Sequence, residues 1–195
     1  MSNTVLRVGY VPGVTPDKWA RSWRQRRDGV RLELVPLDEE NAEAAVRAGR
    51  VDMVLTRLPL DRTGLHLVRL YDEVAVVVVA RDHPVAAYDE IDLADLAGEQ
   101  FIGGPPDGFV PDSVQLDLPP MSDAEAVEVA ASGAGVAILP QSVARLHHRR
   151  DAAHRPVRGL PPTTIGLVWP IDRDDPVTQA FVGVVRGRTP RSSRG

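Results

Sequence analysis

Residues 74–80 read Val-Ala-Val-Val-Val-Val-Ala, with no polar interruption. Four valines in a row favour extended backbone, and a strand whose side chains are apolar on both sides must be covered on both faces. The run is far below the ~20 residues that a membrane-spanning helix needs. Its cover must therefore come from the rest of the chain, which points to layers of helices around sheets.

The first third supplies that material. Thr4 to Val11 is β-rich and is broken by Pro12-Gly13. Thr15-Pro16 then offers a cap followed by proline at the first helical position, and a helix to about Arg27 follows, with Trp19 and Trp23 one turn apart and Gly29 as its stop. Arg31 to Leu37 alternates Leu32 and Leu34 with charged partners, a second strand. Asp38 precedes a helix whose first turn carries Glu39 and Glu40, where the dipole favours acids, and which ends at Gly49. Val51 to Leu58 is a third strand. The order β-α-β-α-β predicts a parallel sheet with helices packed on it.

Beyond it, Leu67, Val68 and Leu70 lead into the strand Val74–Val79, which His83-Pro84 ends. A short helix is expected at Leu93–Ala97 and a strand at Gln100–Gly103. A loop rich in glycine and proline follows to Pro120, with a further strand at Val114–Leu116. Ser122-Asp123-Ala124-Glu125 is a capping box opening a helix that stops at Gly133. Val136–Leu139 is a strand that turns into a helix through Leu146, Thr164–Trp169 is a strand, and Asp175-Pro176 opens a last helix to Val185. Residues 187–195 are Arg, Ser, Thr, Pro and Gly without periodicity and are expected to be mobile.

The 195 residues suit one large domain or two lobes of about 100 each. Apolar residues make up 43% and charged residues 26%, an ordinary globular balance. With no cysteine there are no disulfides, thiolate nucleophiles or cysteine-ligated metals. The cations are 22 Arg and the single Lys18, a bias that reads as a GC-rich bacterial genome. A formal charge of −4 argues against a chain-wide nucleic-acid surface. Met1-Ser2-Asn3 opens no signal peptide, so a cytoplasmic protein without a membrane anchor is expected.

Four stretches together carry a family resemblance: Leu6–Tyr10, Arg47–Met53, Val79–Ala86 with Leu93–Leu96, and Ala131–Pro140 with its Gly133-Ala134-Gly135. The chain resembles the effector-binding domain of LysR-type transcriptional regulators over nearly its whole length. The resemblance implies an α/β, two-lobed periplasmic-binding-protein-like (type 2) fold, with two crossing strands and a ligand cleft between the lobes. One lobe is then residues 1–79 with 162–195, the other 80–161. The family carries a winged helix-turn-helix and a linker helix ahead of this domain. Here the first strand starts at about Thr4, so this chain by itself is not expected to read operator DNA. The start at Met1 and the absence of a tag favour a stand-alone domain.

The resemblance also implies where a small-molecule effector sits: at the carboxyl ends of strands, ringed by helix N-termini. The candidate contacts are Pro12, Gly13, Val14 and Thr15 in the first turn, Glu39 at the second helix, and Thr56 and Arg57 ending the third strand. From the other lobe come Gly103, Gly104 and Pro105, Phe109 as an apolar wall, and Met121 and Ser122 at the capping box. An arginine at position 57 suits a carboxylate in a bidentate fork, and the alternative is a surface arginine paired with Asp61. An acidic cleft at Glu39 and Glu40 would overturn an anionic preference. Trp19 and Trp23 read as core or subunit packing, the family's first helix being placed in a dimer interface. The arginines at 21, 24, 26 and 27 read as a solvated helix face.

Catalysis finds little support. His147, His148 and His154 lack a helical i, i+4 pair and sit beside Arg149-Arg150, so no metal site is expected. Neither a Gly-x-Ser-x-Gly elbow nor a phosphate loop is present, and no cofactor is expected. The leading expectation is a small-molecule sensing domain, a homodimer. The alternatives are a protein-interaction module that pairs with full-length LysR-type subunits, and a cytoplasmic enzyme on the same fold.

Overall fold

The computed structural model describes residues 5–26 and 29–187. Thr4 of the first expected strand, Arg27 at the end of the first expected helix and the expected mobile tail from 188 onward lie outside the described residues. The chain divides into two compact units, Met1–Asp72 with Thr164–Gly195, and Glu73–Thr163.

Unit 1 holds β1 (Val5–Tyr10), α1 (Asp17–Gln25), β2 (Arg31–Pro36), α2 (Glu39–Arg47), β3 (Met53–Leu58) and β4 (Leu65–Glu73). Strand β9 (Thr163–Pro170) and α5 (Pro176–Val185) complete it. The sheet order is β2-β1-β3-β9-β4. β1 runs parallel to both β2 and β3, with Val8 opposite Leu34 on one side and Met53 on the other. β9 returns antiparallel to β3, with Arg57 opposite Ile165. The β-α-β-α-β expectation therefore holds.

Each helix of unit 1 presents its apolar face to this sheet. Trp19 and Trp23 are buried in the unit's own core, Trp23 edge-on to Phe181 of α5 at 5.7 Å with its indole N–H donating to the Val30 carbonyl. These tryptophans give α1 nothing aromatic to offer a second subunit. Arg26 donates to the Ala180 carbonyl of α5 at 2.7 Å. At the start of α1 the N-cap position belongs to Pro16, without a side-chain cap, and not to Thr15. Asp38 stands at the N-cap of α2, also without a side-chain bond, whereas Asp175 caps α5 through the amides of Val177 and Thr178.

Unit 2 holds β5 (Ala75–Ala80), β6 (Ile91–Asp92), α3 (Asp123–Ala131), β7 (Ala137–Pro140), α4 (Gln141–Leu146) and β8 (Ala152–Arg158), in the sheet order β6-β8-β5-β7. The demand of the valine run is met there. Val76 and Val78 pack on α3 and α4 with Val127, Ala130 and Val143. Val77 and Val79 pack on the other face with Val85, Leu96, Phe101 and Val157. Each fully buried valine contributes about 1.5–3 kcal/mol relative to exposure.

Four expectations need correction. β5 pairs with β7 and β8, so it belongs wholly to unit 2, and the first division falls at Asp72/Glu73 instead of Val79. Val74, half exposed, separates it from β4. Gln100–Gly103 forms only a single parallel bridge, Phe101 to Val136, and Val114–Leu116 is not a strand. The expected helix at Leu93–Ala97 is a 3-10 turn over Leu93–Leu96. β8 was not expected at all, because Ala-Ala-His-Arg-Pro-Val-Arg has no apolar alternation and carries a proline. It is nonetheless paired to β5 along Val76–Ala80.

Gly135 is tightly enclosed by backbone: a Cβ there would stand 2.3 Å from the Gln100 carbonyl oxygen, which accepts from the Val136 amide at 2.8 Å. A backbone oxygen cannot swing aside as a side chain can. Gly135→Ala is expected to lower stability by roughly 1–3 kcal/mol in urea denaturation. Gly183→Ala, in α5 with the nearest atom the Arg26 Nη1 at 3.7 Å, ordinary van der Waals contact, is expected to be neutral or up to about 1 kcal/mol stabilising. Equal behaviour of the two variants would refute the role given to Gly135.

Candidate functional site

Because β1 is parallel to β2 and β3, their carboxyl ends share one edge of the sheet in unit 1. Pro12 and Gly13 hold the central positions of a turn closed by the Val14 amide donating to the Val11 carbonyl at 3.2 Å. Gly13 has φ +84°, which the second central residue of this turn requires and which glycine adopts without strain. The turn leaves the Pro12 carbonyl as an acceptor, and Arg57 takes it, donating from Nη2 at 3.0 Å. Its Nη1 donates to Glu39 Oε2 at 2.7 Å.

The expected residues Pro12, Glu39 and Arg57 are thus joined directly, with Thr56 buried beside Arg57 and Val14 buried under the turn, while Thr15 is exposed. The two charges differ in setting. The Arg57 side chain is 5% exposed and that of Glu39 46%. A guanidinium so far out of water needs a charged partner, and the helix start supplies it. The alternative of a surface Arg57 paired with Asp61 is overturned: Arg57 is buried, and Asp61 pairs with Arg47. Asp38 and Glu40 flank Glu39 and are exposed.

In unit 2, a concavity of about 360 Å³ opens between Phe101, Gly103 and Gly104 on one side and Leu116 to Met121 on the other. What holds its second side is a pair of glutamines. Gln115 Oε1 accepts from the buried Phe101 amide at 2.8 Å, and its Nε2 donates to the Glu99 carbonyl at 2.9 Å. Gln100 Oε1 accepts from the Leu116 amide at 2.9 Å. Side-chain amides here replace the ladder expected for Val114–Leu116.

Of the remaining expected residues, Gly103, Gly104 and Met121 line the concavity. Phe109 instead packs edge-on to Phe101 at 5.7 Å, half-buried against the core cluster that holds Phe101, and neither it nor Pro105 is among the residues lining that concavity. Ser122 forms the capping box: its Oγ accepts from the Glu125 amide at 3.4 Å, and its own amide donates to Glu125 Oε2 at 2.7 Å. Gln100 and Gln115 were not foreseen, since two glutamines fifteen residues apart form no periodic pattern.

His147, His148 and His154 do come together, lining a small hollow with Arg149 between α4 and β8. Among the described residues, no group of three or more His, Asp or Glu is placed to hold a metal ion. Burial holds His154 below its ordinary value of 6.5, with Arg145, Arg155 and His148 adding repulsion.

The chain's likeness to known proteins agrees with this architecture. A family model described as "LysR substrate binding domain" matches residues 2–190. The Hca operon transcriptional activator HcaR of Escherichia coli is 26% identical over 94% of this chain and 67% of its own length. The regulator CatR of Pseudomonas putida is 27% identical over 75% of this chain and 55% of its own length. The chain thus spans about half to two thirds of these relatives. Among solved structures, the BenM effector binding domain with its effector benzoate superposes with TM-score 0.75 at 18% identity, covering 97% of this chain and 96% of that one. The oxidised form of OxyR gives TM-score 0.72 at 22% identity, covering 95% and 96%. The described fold is the α/β, type 2 periplasmic-binding-protein-like fold of these domains. No described helix is long and apolar enough to cross a membrane.

Two outcomes follow from this geometry. Gln115→Ala leaves the buried Phe101 amide without its acceptor, so a loss of about 1–3 kcal/mol is expected, with faster amide exchange confined to residues near 100 and 113–118. Uniform acceleration across unit 2 would contradict the clamp. For His154, the depressed folded value means that the unfolded chain binds the proton more readily. Its contribution is present above pH ~6.5 and is lost as pH falls through the lower folded value. Denaturation midpoints are expected to drop between pH 7 and 5, and His154→Gln to remove part of that slope.

Proposed function

Because this chain belongs to the LysR substrate-binding domain family, we propose that it is the ligand-sensing part of a LysR-type transcriptional regulator. It binds a small organic molecule at the carboxyl ends of β1, β2 and β3. The observation that carries this is the buried Arg57, held by Glu39 and the Pro12 carbonyl at the sheet edge where α/β folds bind ligands. A buried guanidinium fixed to a half-exposed carboxylate and a half-buried turn is costly as mere structure and useful as a preorganised contact. The BenM domain is recorded with benzoate as its effector, which supports a small organic ligand as the kind of molecule recognised by this fold.

The domain works in the bacterial cytoplasm as a homodimer, and it reports ligand occupancy to an operator-binding segment of its own or of a partnering LysR-type subunit. A ligand that binds one arrangement of the domain better than another shifts the population by that difference in affinity. The relatives carry the names of transcriptional activators and regulators. Arg57 and Glu39 form an ion pair, not a nucleophile with its base, which accords with binding rather than turnover.

The test is a thermal-shift screen of the purified chain against organic acids, amines, amino acids, sugars and aromatics. A ligand at 100 times its Kd stabilises by about 2.7 kcal/mol, which corresponds to a midpoint rise of roughly 5–10 °C for a chain of this size. Arg57→Ala is expected to remove the rise, and Thr56→Val, which keeps the volume, to reduce it. A broad library without a single shift would refute the sensing role and favour the protein-interaction reading.

A further inference from the structure

We infer that the feature this site reads on its ligand is a protonated amine, that Glu39 is the residue that reads it, and that Arg57 is the positioning residue for Glu39. The inference rests on the ligand-sensing reading above and names the ligand's chemistry.

Arg57 is the cation of the pair, but at 5% exposure it is the member that a ligand reaches least. Two of its donors are committed inside the protein, to Glu39 at 2.7 Å and to the Pro12 carbonyl at 3.0 Å. Glu39, 46% exposed, is the member that faces solvent. An ionised carboxylate has two oxygens and roughly four acceptor positions, and the bond to Arg57 engages only Oε2. Arg57 thus does for Glu39 what a second-layer partner does for a ligating group: it fixes the direction in which the remaining acceptor positions point.

Charge leads to the same conclusion. Asp38, Glu39 and Glu40 are consecutive and exposed at the start of α2, three carboxylates against one buried guanidinium. The positive end of the helix dipole is worth about half a unit charge and does not reverse that balance. An incoming carboxylate would have to displace Glu39 from Arg57 while approaching two further acids. An ammonium group displaces nothing and gains a charge-assisted hydrogen bond. Amines and amino acids are accordingly the expected class, and simple organic acids are not.

Matched probes decide the question. Isothermal titration is run with three molecules on one skeleton (phenylalanine, 2-phenylethylamine and 3-phenylpropionate) and three on a shorter one (alanine, ethylamine and propionate). The amine-bearing members are expected to bind roughly 10- to 100-fold tighter than the acid-only members, the range that a hydrogen bond to a charged group supplies. Glu39→Gln, whose amide oxygen can still accept from Arg57, is expected to close that gap; because it leaves the buried guanidinium without its charged partner the unliganded midpoint is expected to fall as well, so the amine-to-acid affinity ratio is the readout. Arg57→Gln is expected to lower the amine-to-acid ratio; a lower midpoint with the ratio unchanged would make Arg57 merely structural. If the acid-only members bind best and Glu39→Gln strengthens them, the inference fails and the sensing role stands. If none of the six binds, the inference fails as well, and the sensing role is then judged by the broader screen alone.

Discussion

A strand with no polar face fixes what must lie on either side of it. β5 carries Val76 and Val78 toward α3 and α4, and Val77 and Val79 toward Val85, Leu96, Phe101 and Val157. Neither cover forms a stable surface without the strand, and the strand has no solvated alternative. Two hydrophobic clusters in unit 2 therefore depend on one six-residue segment, and the loops that shape the concavity are anchored to one of those clusters through Phe101. Unit 1 solves the same problem by distribution, with three parallel strands and helices spread over one large core.

Against these apolar constraints, the buried charge in unit 1 is informative. Removing a guanidinium from water is unfavourable unless it is paired and hydrogen-bonded. Arg57 finds both partners in the turn that follows the neighbouring β1 and the helix start that follows β2, one strand further along the sheet. The Pro12-Gly13 turn supplies an outward carbonyl and α2 supplies a carboxylate, so the local rules that end β1 and begin α2 also create the arginine's socket.

Most of unit 1 was legible because its signals are local: alternation in β2, breakers at Pro12-Gly13 and Gly49, and the Asp175-Pro176 cap. The capping box of α3 was legible for the same reason. β8 was not, since its extended form comes from pairing with β5 and not from its own composition. The site was legible in part. Position 57 could be named from its place at a strand end, but its pairing with Glu39, eighteen residues earlier, is a tertiary fact. The same holds for Phe109, whose ring is as compatible with a wall as with a core until Phe101 is seen beneath it.

The clamp made by Gln100 and Gln115 has a consequence for how such a domain diversifies. A rim held by a backbone ladder is tied to strand register, and a single inserted residue would turn every side chain to the opposite face. Here residues 113–116 are pinned by two side-chain amides, and residues 117–121 hang from that pin to the start of α3. Residues can be exchanged, added or lost between the pin and the helix at the small cost of a longer loop, with no strand shifted. The lining of the concavity can then change independently of the sheet, so new ligand preferences can arise without the fold having to be found again.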